Sequence, residues 1–268
     1  MVSIVGICTP AQAANNAHLR QFLKTGQCVR CDLRNANLAG RDLSNKNLSY
    51  ANLSKADLTS VNLKDTNLAS ANLSGAKLPG STLGGTNLVN TNLSGASLVG
   101  LEARGYFKPS NMTNANLKNA ILTDAKLGSN ARYVVYLNLT GADLTGADLS
   151  GANISYISVV GANLSKATLT GTDLKGSNLT SANFTSANLN GTNLSEANLT
   201  NANFSNAILS GVDFNEATLA GTNFAGAQVS NPLNLKTEQT ARPTTRPTPR
   251  PVNSRSLIPS ILNNIFRR

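Results

Sequence analysis

The chain has few of the residues from which catalytic and metal sites are usually built. Its 268 residues include no tryptophan, one histidine and three cysteines, and aromatic residues make up only 4% of the total. A catalytic centre needs a nucleophile, a base and an orienting group that meet in one pocket, and the lone His18 offers no such set. The sequence also holds no phosphate-binding loop and no cluster with metal-ligand spacing. We therefore expect no enzymatic activity, no cofactor, no metal and no small-molecule substrate.

Long apolar runs and an excess of acidic residues are also missing. No segment approaches the roughly 18 apolar residues of a membrane-spanning helix. The formal net charge is +10, but residues 31–231 carry 13 basic and 12 acidic groups, so the excess lies in the flanking segments. The central part of the chain is close to neutral, whereas a protein that imitates nucleic acid needs a densely acidic surface.

What the chain does have is a repeat of five residues. An apolar residue occupies every fifth position from Leu33 to Leu98, and the series resumes from Phe107 to Leu127 and from Val134 to Val229. Two positions earlier lies a small residue, most often alanine, and the residue between the two is usually asparagine or aspartate. Five is the period of neither a helix nor a strand. The pattern therefore predicts a solenoid whose units bury their apolar faces against one another.

The spacing of the phenylalanines predicts how many units complete one coil. Phe184, Phe204 and Phe224 lie 20 residues apart, and a matching series of asparagines precedes them. Four units per coil would stack these rings in one column, and the alternative is that the spacings agree by accident. Asparagine, aspartate, serine and glycine supply the turns between units, because they tolerate the backbone angles that turns require.

The unit reads A-(D/N)-L-x-x and is clearest in the runs ANLSGAKL, GADLTGADLSGANI and SANFTSANLNGTNLSEANLTNANF. These runs resemble the pentapeptide-repeat family over about three quarters of the chain. The resemblance implies an all-β fold, a right-handed quadrilateral β-helix over residues 31–231, with residues such as Ala182 and Phe184 facing inward. The preceding pattern LKTGQCVRCDLRNANL is similar to the first segment of many cyanobacterial members.

The segment before the repeat has two parts. In residues 1–14 a short apolar run precedes Ala11-Gln12-Ala13, which is typical of the end of a secretory signal, although a basic start is lacking. An ordinary N-terminus is the alternative. In residues 15–30 the spacing of Leu19, Phe22 and Leu23 predicts a short helix that caps the first coil. We expect export to the periplasm or thylakoid lumen, and a cytoplasmic protein if the signal interpretation is wrong.

Cys28 and Cys31 form an isolated CxxC pair in the predicted cap. A structural zinc site needs four ligands, and a thioredoxin-like role needs a βαβ context that the repeat does not provide. In an exported protein a disulfide between the two is the favoured interpretation. Buried thiols are the alternative, since Cys31 occupies the small inward position of its unit.

The five-residue spacing of the apolar residues is interrupted at two places. Leu98 to Phe107 spans nine residues instead of ten, and Leu127 to Val134 spans seven instead of five. Residues that leave the pattern of a solenoid tend to form loops on one face, often the binding face. A bulge or packing defect in a drifting repeat is the favoured interpretation of each break, and the alternative makes both breaks candidate interaction loops. The tyrosines that they contain are Tyr106, Tyr133 and Tyr136.

The sequence changes character after the repeat. Residues 232–255 are rich in arginine, proline and threonine, which predicts an extended, disordered linker. Residues 256–268 place apolar side chains at helical spacing and form a candidate membrane or partner helix that is too short to span a bilayer. Three interpretations stay open for this segment: it packs on a partner protein, it lies on an anionic membrane surface, or it caps the last coil. The apolar residues are Leu257, Ile258, Ile261, Leu262, Ile265 and Phe266.

These observations favour a non-enzymatic scaffold, a β-helical rod in the periplasm or thylakoid lumen with an unidentified protein partner. A rod tethered to an anionic membrane surface by its basic amphipathic tail is the alternative. Some pentapeptide-repeat proteins imitate DNA and thereby occupy DNA gyrase, but the near-neutral repeat makes this the least favoured interpretation. We expect no nucleic acid partner.

Overall fold

Each five-residue unit consists of one bridging residue and one turn. The computed structural model describes residues 16–103, 110–128 and 137–230. The residue between the two inward positions of a unit lies in a single-residue parallel bridge, as Asn52 does with Asn72. Where this residue is asparagine or aspartate, its Oδ1 accepts a hydrogen bond from the N–H two residues later, as Asn72 does from Ser74 at 3.1 Å. This local bond favours a turn over a continuing strand.

Four units complete one coil. Outside the two longer coils described below, the bridges join residues that are 20 apart, from Gln27 with Asn47 to Ile208 with Gln228, which confirms the coil size predicted from the phenylalanine spacing. Backbone hydrogen bonds also link successive coils, such as that from Leu53 N–H to the Asn72 carbonyl at 2.7 Å. The described residues contain no strand longer than one bridge. The predicted β architecture is therefore present as parallel pairing between coils rather than as extended strands.

The last residue of most units has a left-handed backbone. Asn35 has φ 56° and Gly40 has φ 66°, angles that glycine and asparagine reach at little cost. This explains why these residues recur at the turns. Tyr50 and Tyr156 adopt the same conformation, with φ 58° and 56°, despite their bulky side chains.

The core is a continuous column of side chains from two positions in every unit. Phe204 is fully buried and stacks on Phe184 and on Phe224, with ring centroids 4.6 and 5.3 Å apart. Phe214 contacts it edge-on at 6.1 Å. Such aromatic pairs contribute about 0.5–1.5 kcal/mol each beyond their buried area.

Buried hydroxyl groups take the place of alanine in several units. Thr86 is 0% exposed, and its hydroxyl donates to the Leu63 carbonyl at 2.7 Å. Thr192 donates in the same way to the Leu169 carbonyl at 2.7 Å. The bond satisfies a hydroxyl that would otherwise be costly to bury. Threonine therefore serves as a small inward residue as well as an outward one, which the sequence pattern alone does not reveal.

Helix α1 (Asn16–Thr25) covers the first coil. Phe22 is 2% exposed and Leu19 packs, partly buried, against the core. Leu23, one turn after Leu19, is 47% exposed. Within the described ranges, no helix has the length and apolar character needed to cross a bilayer.

The two breaks in the repeat appear as longer coils. Glu102 pairs with Lys126, 24 residues later, and Asn111 pairs with Asn138 in the following coil, 27 residues later. In the described residues, Glu102 and Asn111 occupy neighbouring columns of bridges, and so do Lys126 and Asn138. The sequence pattern places unit centres at Phe107 and Val134, between these columns. Both lie outside the described residues.

The unit that the pattern misses is centred on Ala103. This residue is 1% exposed, and Leu101, in the position usually held by alanine, is 0% exposed. The two inward side chains have exchanged sizes, so the pair fills a similar volume while the order of small and large is reversed. A search for a large residue at every fifth position passes over it.

Replacing Phe204 by alanine tests the stacked column. We expect the free energy of unfolding to fall by about 3–5 kcal/mol, because the change leaves a cavity between two rings. Urea unfolding followed by circular dichroism measures the loss. Phe224→Ala is the matched control, since Phe224 is only partly buried, and its loss should be smaller. Equal losses would contradict the assignment of Phe204 to the centre of the column.

Candidate interaction site

Both insertions leave the coil at the same corner. They comprise residues 104–109 and 129–136, which lie outside the described residues. Each follows a member of the Glu102–Lys126 bridge and precedes a member of the Asn111–Asn138 bridge. The two points of departure therefore lie one above the other in successive coils. We call this edge of the rod, between these two columns of bridges, the insertion corner.

The predicted interaction residues Tyr106, Tyr133 and Tyr136 fall within the insertions, and so outside the described residues. At the base of the corner, Lys126 Nζ contacts Glu102 Oε1 at 2.8 Å. Both groups are partly solvent-exposed, and such pairs contribute at most about 1 kcal/mol. The pair leaves the base of the corner without net charge.

Tyr156 adds an aromatic ring to the insertion corner one coil later. It follows the Asn153 bridge, which continues the column of Glu102 and Lys126. Its side chain is 47% exposed although its backbone is left-handed, a conformation that costs a non-glycine residue roughly 1–2 kcal/mol. The ring lies against Gly176, where an added Cβ would overlap it. Sequence analysis missed Tyr156, and the available signal was an aromatic residue at a turn position usually held by glycine or asparagine.

Two charged residues hold the Tyr156 ring in place. Its hydroxyl donates to Glu196 Oε2 at 3.3 Å, and Lys175 Nζ contacts Glu196 Oε1 at 3.0 Å. The hydrogen bond to Glu196, and then its charge, raise the pKa of Lys175. The ring is thus ordered while half of its surface remains open to a partner.

A hollow of about 410 Å³ opens beside the insertion corner. Its lining includes Asp65, Gly85, Val89 and Asn111. Among the described lining residues Asp65 is the one that carries a charge.

At the other candidate site, Cys28 and Cys31 form a disulfide with a Cα–Cα distance of 5.2 Å. Both are buried, at 1% and 4% exposure. Cys28 fills the large inward position of a unit that precedes Leu33, since Gln27 bridges to Asn47. The disulfide thus takes the place of a leucine–alanine pair in the first coil.

His18 fastens the cap to the first coil. Its Nδ1 accepts a hydrogen bond from the Asp32 N–H at 3.1 Å. Asp32 in turn accepts two bonds from the Arg34 guanidinium, at 2.8 and 2.7 Å. These bonds from Arg34 lower the pKa of Asp32 despite some burial. The single histidine is therefore structural, and in the described part of the chain no group of three or more potential ligands is placed to hold a metal ion.

The predicted C-terminal helix lies outside the described residues, so its contacts are not part of the site. The residues concerned are Leu257, Ile258, Ile261, Leu262, Ile265 and Phe266.

Aspartates at the turns make stability depend on pH. Hydrogen bonds from the hydroxyl and then the N–H of Thr59 lower the pKa of Asp57. At Asp143 burial raises the pKa, but bonds from Thr145 and Lys118 outweigh it, so the net change is a lowering. A carboxyl whose folded pKa lies below its unfolded value of 3.8 contributes stability above that value. This stability is lost as the pH falls through the folded pKa.

Replacing Asp57 and Asp143 together by asparagine tests this dependence. Asparagine keeps the Oδ1 acceptor of the turn but does not titrate. We expect the thermal midpoint of the unmodified chain to drop as the pH falls from about 5 to about 3, and that of the double variant to drop less. Circular dichroism melts across this range measure both. Identical acid losses would show that other carboxyl groups control the effect.

Comparison with known protein families identifies the repeat. A family model described as a pentapeptide repeat region matches residues 155–224. A second, described as pentapeptide repeats in eight copies, matches residues 27–65, 66–100 and 136–159. No curated protein matches the chain.

Solved structures with the same repeat include HetL from the cyanobacterium Nostoc sp. strain PCC 7120, a protein involved in heterocyst differentiation regulation. It is 32% identical over 76% of this chain and 84% of its own, with a TM-score of 0.51. Trypsin-treated QnrB1, a plasmid-mediated fluoroquinolone resistance protein, is 19% identical over 73% of this chain and 90% of its own, with a TM-score of 0.48. A pentapeptide repeat protein from the Arabidopsis thaliana thylakoid lumen is 31% identical over 46% of this chain and 68% of its own, with a TM-score of 0.15.

Neither QnrB1 nor the Arabidopsis protein reaches a TM-score of 0.5 with this chain. Both family models match the five-residue repeat, and HetL is 32% identical to this chain across it. The coils of four five-residue units agree with these matches. The chain belongs to the pentapeptide-repeat family.

Proposed function

We propose that this chain is a non-enzymatic interaction scaffold, a right-handed quadrilateral β-helical rod that binds a protein partner at its insertion corner. The observation that carries the proposal is the alignment of both insertions on one edge, one coil apart. Insertions that arose as independent packing defects would fall on any of the four corners. Two points of departure on the same corner are expected for a binding site on one face of a solenoid.

The handedness and the square section of the rod are proposed from the likeness to HetL. The parallel bridges at intervals of four units are consistent with that geometry. HetL is involved in the regulation of heterocyst differentiation, and a regulatory role through binding is one that a rod without catalytic groups can perform.

The chemistry of the insertion corner suits a protein partner. Tyr156 presents an ordered, half-exposed ring there, and the insertions add Tyr106, Tyr133 and Tyr136 in sequence. Tyrosine is enriched in protein interfaces, because it combines a large apolar ring with a hydroxyl and loses little entropy on binding.

The proposed compartment is the periplasm or thylakoid lumen. Its support is the Cys28–Cys31 disulfide in the cap, since structural disulfides persist in oxidising compartments and are rare in the cytosol. The interpretation of residues 1–14 as part of a secretory signal points the same way.

Replacing Tyr106, Tyr133 and Tyr136 together by serine tests the binding surface. We expect capture of the partner from a periplasmic or lumenal extract to fall at least tenfold, because buried interface tyrosines each contribute about 2 kcal/mol or more. Quantitative pull-down on the tagged chain, followed by titration with the purified partner, measures the loss.

Tyr50→Ser is the matched control. Tyr50 is 56% exposed and has the same left-handed backbone as Tyr156, but it lies at a different corner, following the Asn47 bridge. Capture should be unchanged in this variant. Equal capture by the triple variant and the unmodified chain would remove the insertion corner as the binding site.

Thiol trapping tests the compartment. When cells are quenched in acid and treated with a maleimide polymer under denaturing conditions, we expect Cys28 and Cys31 to react only after a reductant is added. A Cys28→Ser, Cys31→Ser double variant identifies their contribution to the gel shift. Reaction of both cysteines without reductant would contradict the proposed export.

A further inference from the structure

The first two coils break the residue pattern of the unit at two neighbouring positions. Arg41 and Lys46 lie immediately before the bridging residues Asp42 and Asn47, where other units carry a small or apolar inward residue. They are the only charged residues at this position among the units that the structure describes. Positions at which a sequence departs from its own local rule are often functional.

A hollow of about 370 Å³ lies beside both residues. Its lining includes Leu23 and Lys24 from α1, and Arg41, Asp42 and Lys46 from the coil. We call it the cap hollow. Three basic side chains and one acidic side chain line it, so its lining carries a net positive charge.

The basic side chains of the cap hollow form no hydrogen bond and no ion pair with the described residues. This holds for the side-chain nitrogen atoms of Lys24, Arg41 and Lys46. Asp42, by contrast, already accepts a bond at Oδ1 from the Ser44 N–H at 3.0 Å. The bonds from Ser44, and to a lesser extent the charge of Lys46, lower the pKa of Asp42, so its carboxylate is ionised near neutral pH. The remaining positive charge is available to a ligand.

Gly26 makes room for the Lys46 side chain. It follows α1 directly and has φ 69°. An added Cβ at Gly26 would lie 2.7 Å from Lys46 Cδ and 2.8 Å from its Nζ. The Lys46 side chain therefore crosses this glycine, and its ammonium group lies at the C-terminal end of α1, where the helix carbonyl groups favour a cation. This contact orients Lys46 into the cap hollow.

The cap hollow lies on the same edge of the rod as the insertion corner. Asp42 belongs to the column of bridges that contains Glu102, and Asn47 belongs to the column that contains Asn111. Glu102 lies three coils after Asp42 in its column, which is about 15 Å along the rod at the usual spacing of strands.

The basic groups favour a row of carboxylates over a compact phosphate. Phosphate groups usually bind the N–H groups at the N-terminus of a helix, whereas the cap hollow lies at the C-terminal end of α1, whose carbonyl groups repel anions. Lys24, Arg41 and Lys46 come from the helix and from two successive units, which suits several acidic side chains spaced along a peptide. Leu23, which is 47% exposed beside them, offers an apolar contact.

We propose that the cap hollow binds an acidic segment of a protein partner. Carboxylates of the segment pair with Lys24, Arg41 and Lys46, and an apolar side chain packs on Leu23. Arginine suits this role, because its guanidinium binds a carboxylate through two parallel hydrogen bonds. Residues 1–15 and 231–268 contain one acidic residue between them, so the chain's own ends do not supply such a segment. The inference does not rest on the binding proposed at the insertion corner.

Fluorescence anisotropy of a labelled peptide tests the site. The probe is fluorescein-labelled Glu-Glu-Asp-Leu-Asp-Glu-Glu, titrated with the full chain. In a variant that carries Arg41→Ala and Lys46→Ala, we expect the Kd to rise about tenfold, because two charge-assisted contacts are lost.

The matched control carries Lys55→Asn and Lys64→Ser. It removes the same charge from exposed turns of the second coil, and its Kd should change by less than about twofold. Both variants introduce residues that the repeat uses at these positions, so both should keep the thermal midpoint of the unmodified chain in circular dichroism.

The triple tyrosine variant separates the cap hollow from the insertion corner. A chain with serine at positions 106, 133 and 136 should bind the probe as tightly as the unmodified chain does. Loss of the probe from this variant, with binding kept by the Arg41→Ala, Lys46→Ala variant, would place the peptide on the insertions and overturn the proposal.

Three further outcomes would also overturn it. Equal losses of affinity in the two double variants mean that the probe follows net charge rather than the cap hollow. Displacement of the probe by inorganic phosphate at constant ionic strength assigns the hollow to a phosphate ligand. Dimers of the unmodified chain in light scattering, absent from the Arg41→Ala, Lys46→Ala variant, assign it to a second copy of the chain.

Discussion

The hydrogen bond from a turn N–H to the asparagine or aspartate side chain two residues earlier is the interaction on which the whole rod depends. In the units whose bridging residue is asparagine or aspartate, it bends the chain after the large inward residue, as in the bond from Ser74 to Asn72. Because each unit then turns, its bridging residue meets the one 20 residues later, and every coil contacts only its neighbours. A structure of this kind is stabilised by the sum of nearest-neighbour contacts rather than by one central core.

Most apolar residues of the repeat are buried in the core of the rod. The inward column from Leu33 to Phe214 is filled by its own side chains, with Thr86 and similar threonines binding carbonyl groups of the preceding coil. In the described residues the repeat is interrupted or ends at three places. These are the insertion corner, the disulfide cap and the last coil.

Where the repeat is interrupted or ends, other contacts must stabilise the chain. A regular coil protects its neighbours' backbone groups, and each irregularity must replace that protection. At the first coil α1 and the His18 bond to Asp32 supply it. At the insertion corner, the bond from Tyr156 to Glu196 orders a ring that the repeat alone would leave free.

The sequence by itself determined the period, the inward positions and the number of units per coil, because each is a local or strictly periodic property. Phe184, Phe204 and Phe224 reveal the coil size directly. The sequence pattern did not reveal the unit centred on Ala103. In this unit the small and the large inward residue have exchanged positions, which keeps the buried volume similar but breaks the spacing of large residues. Only the tertiary structure decided that both insertions share one corner and that Tyr156 joins them. Those facts depend on how coils of unequal length align in space, which no count along the chain contains.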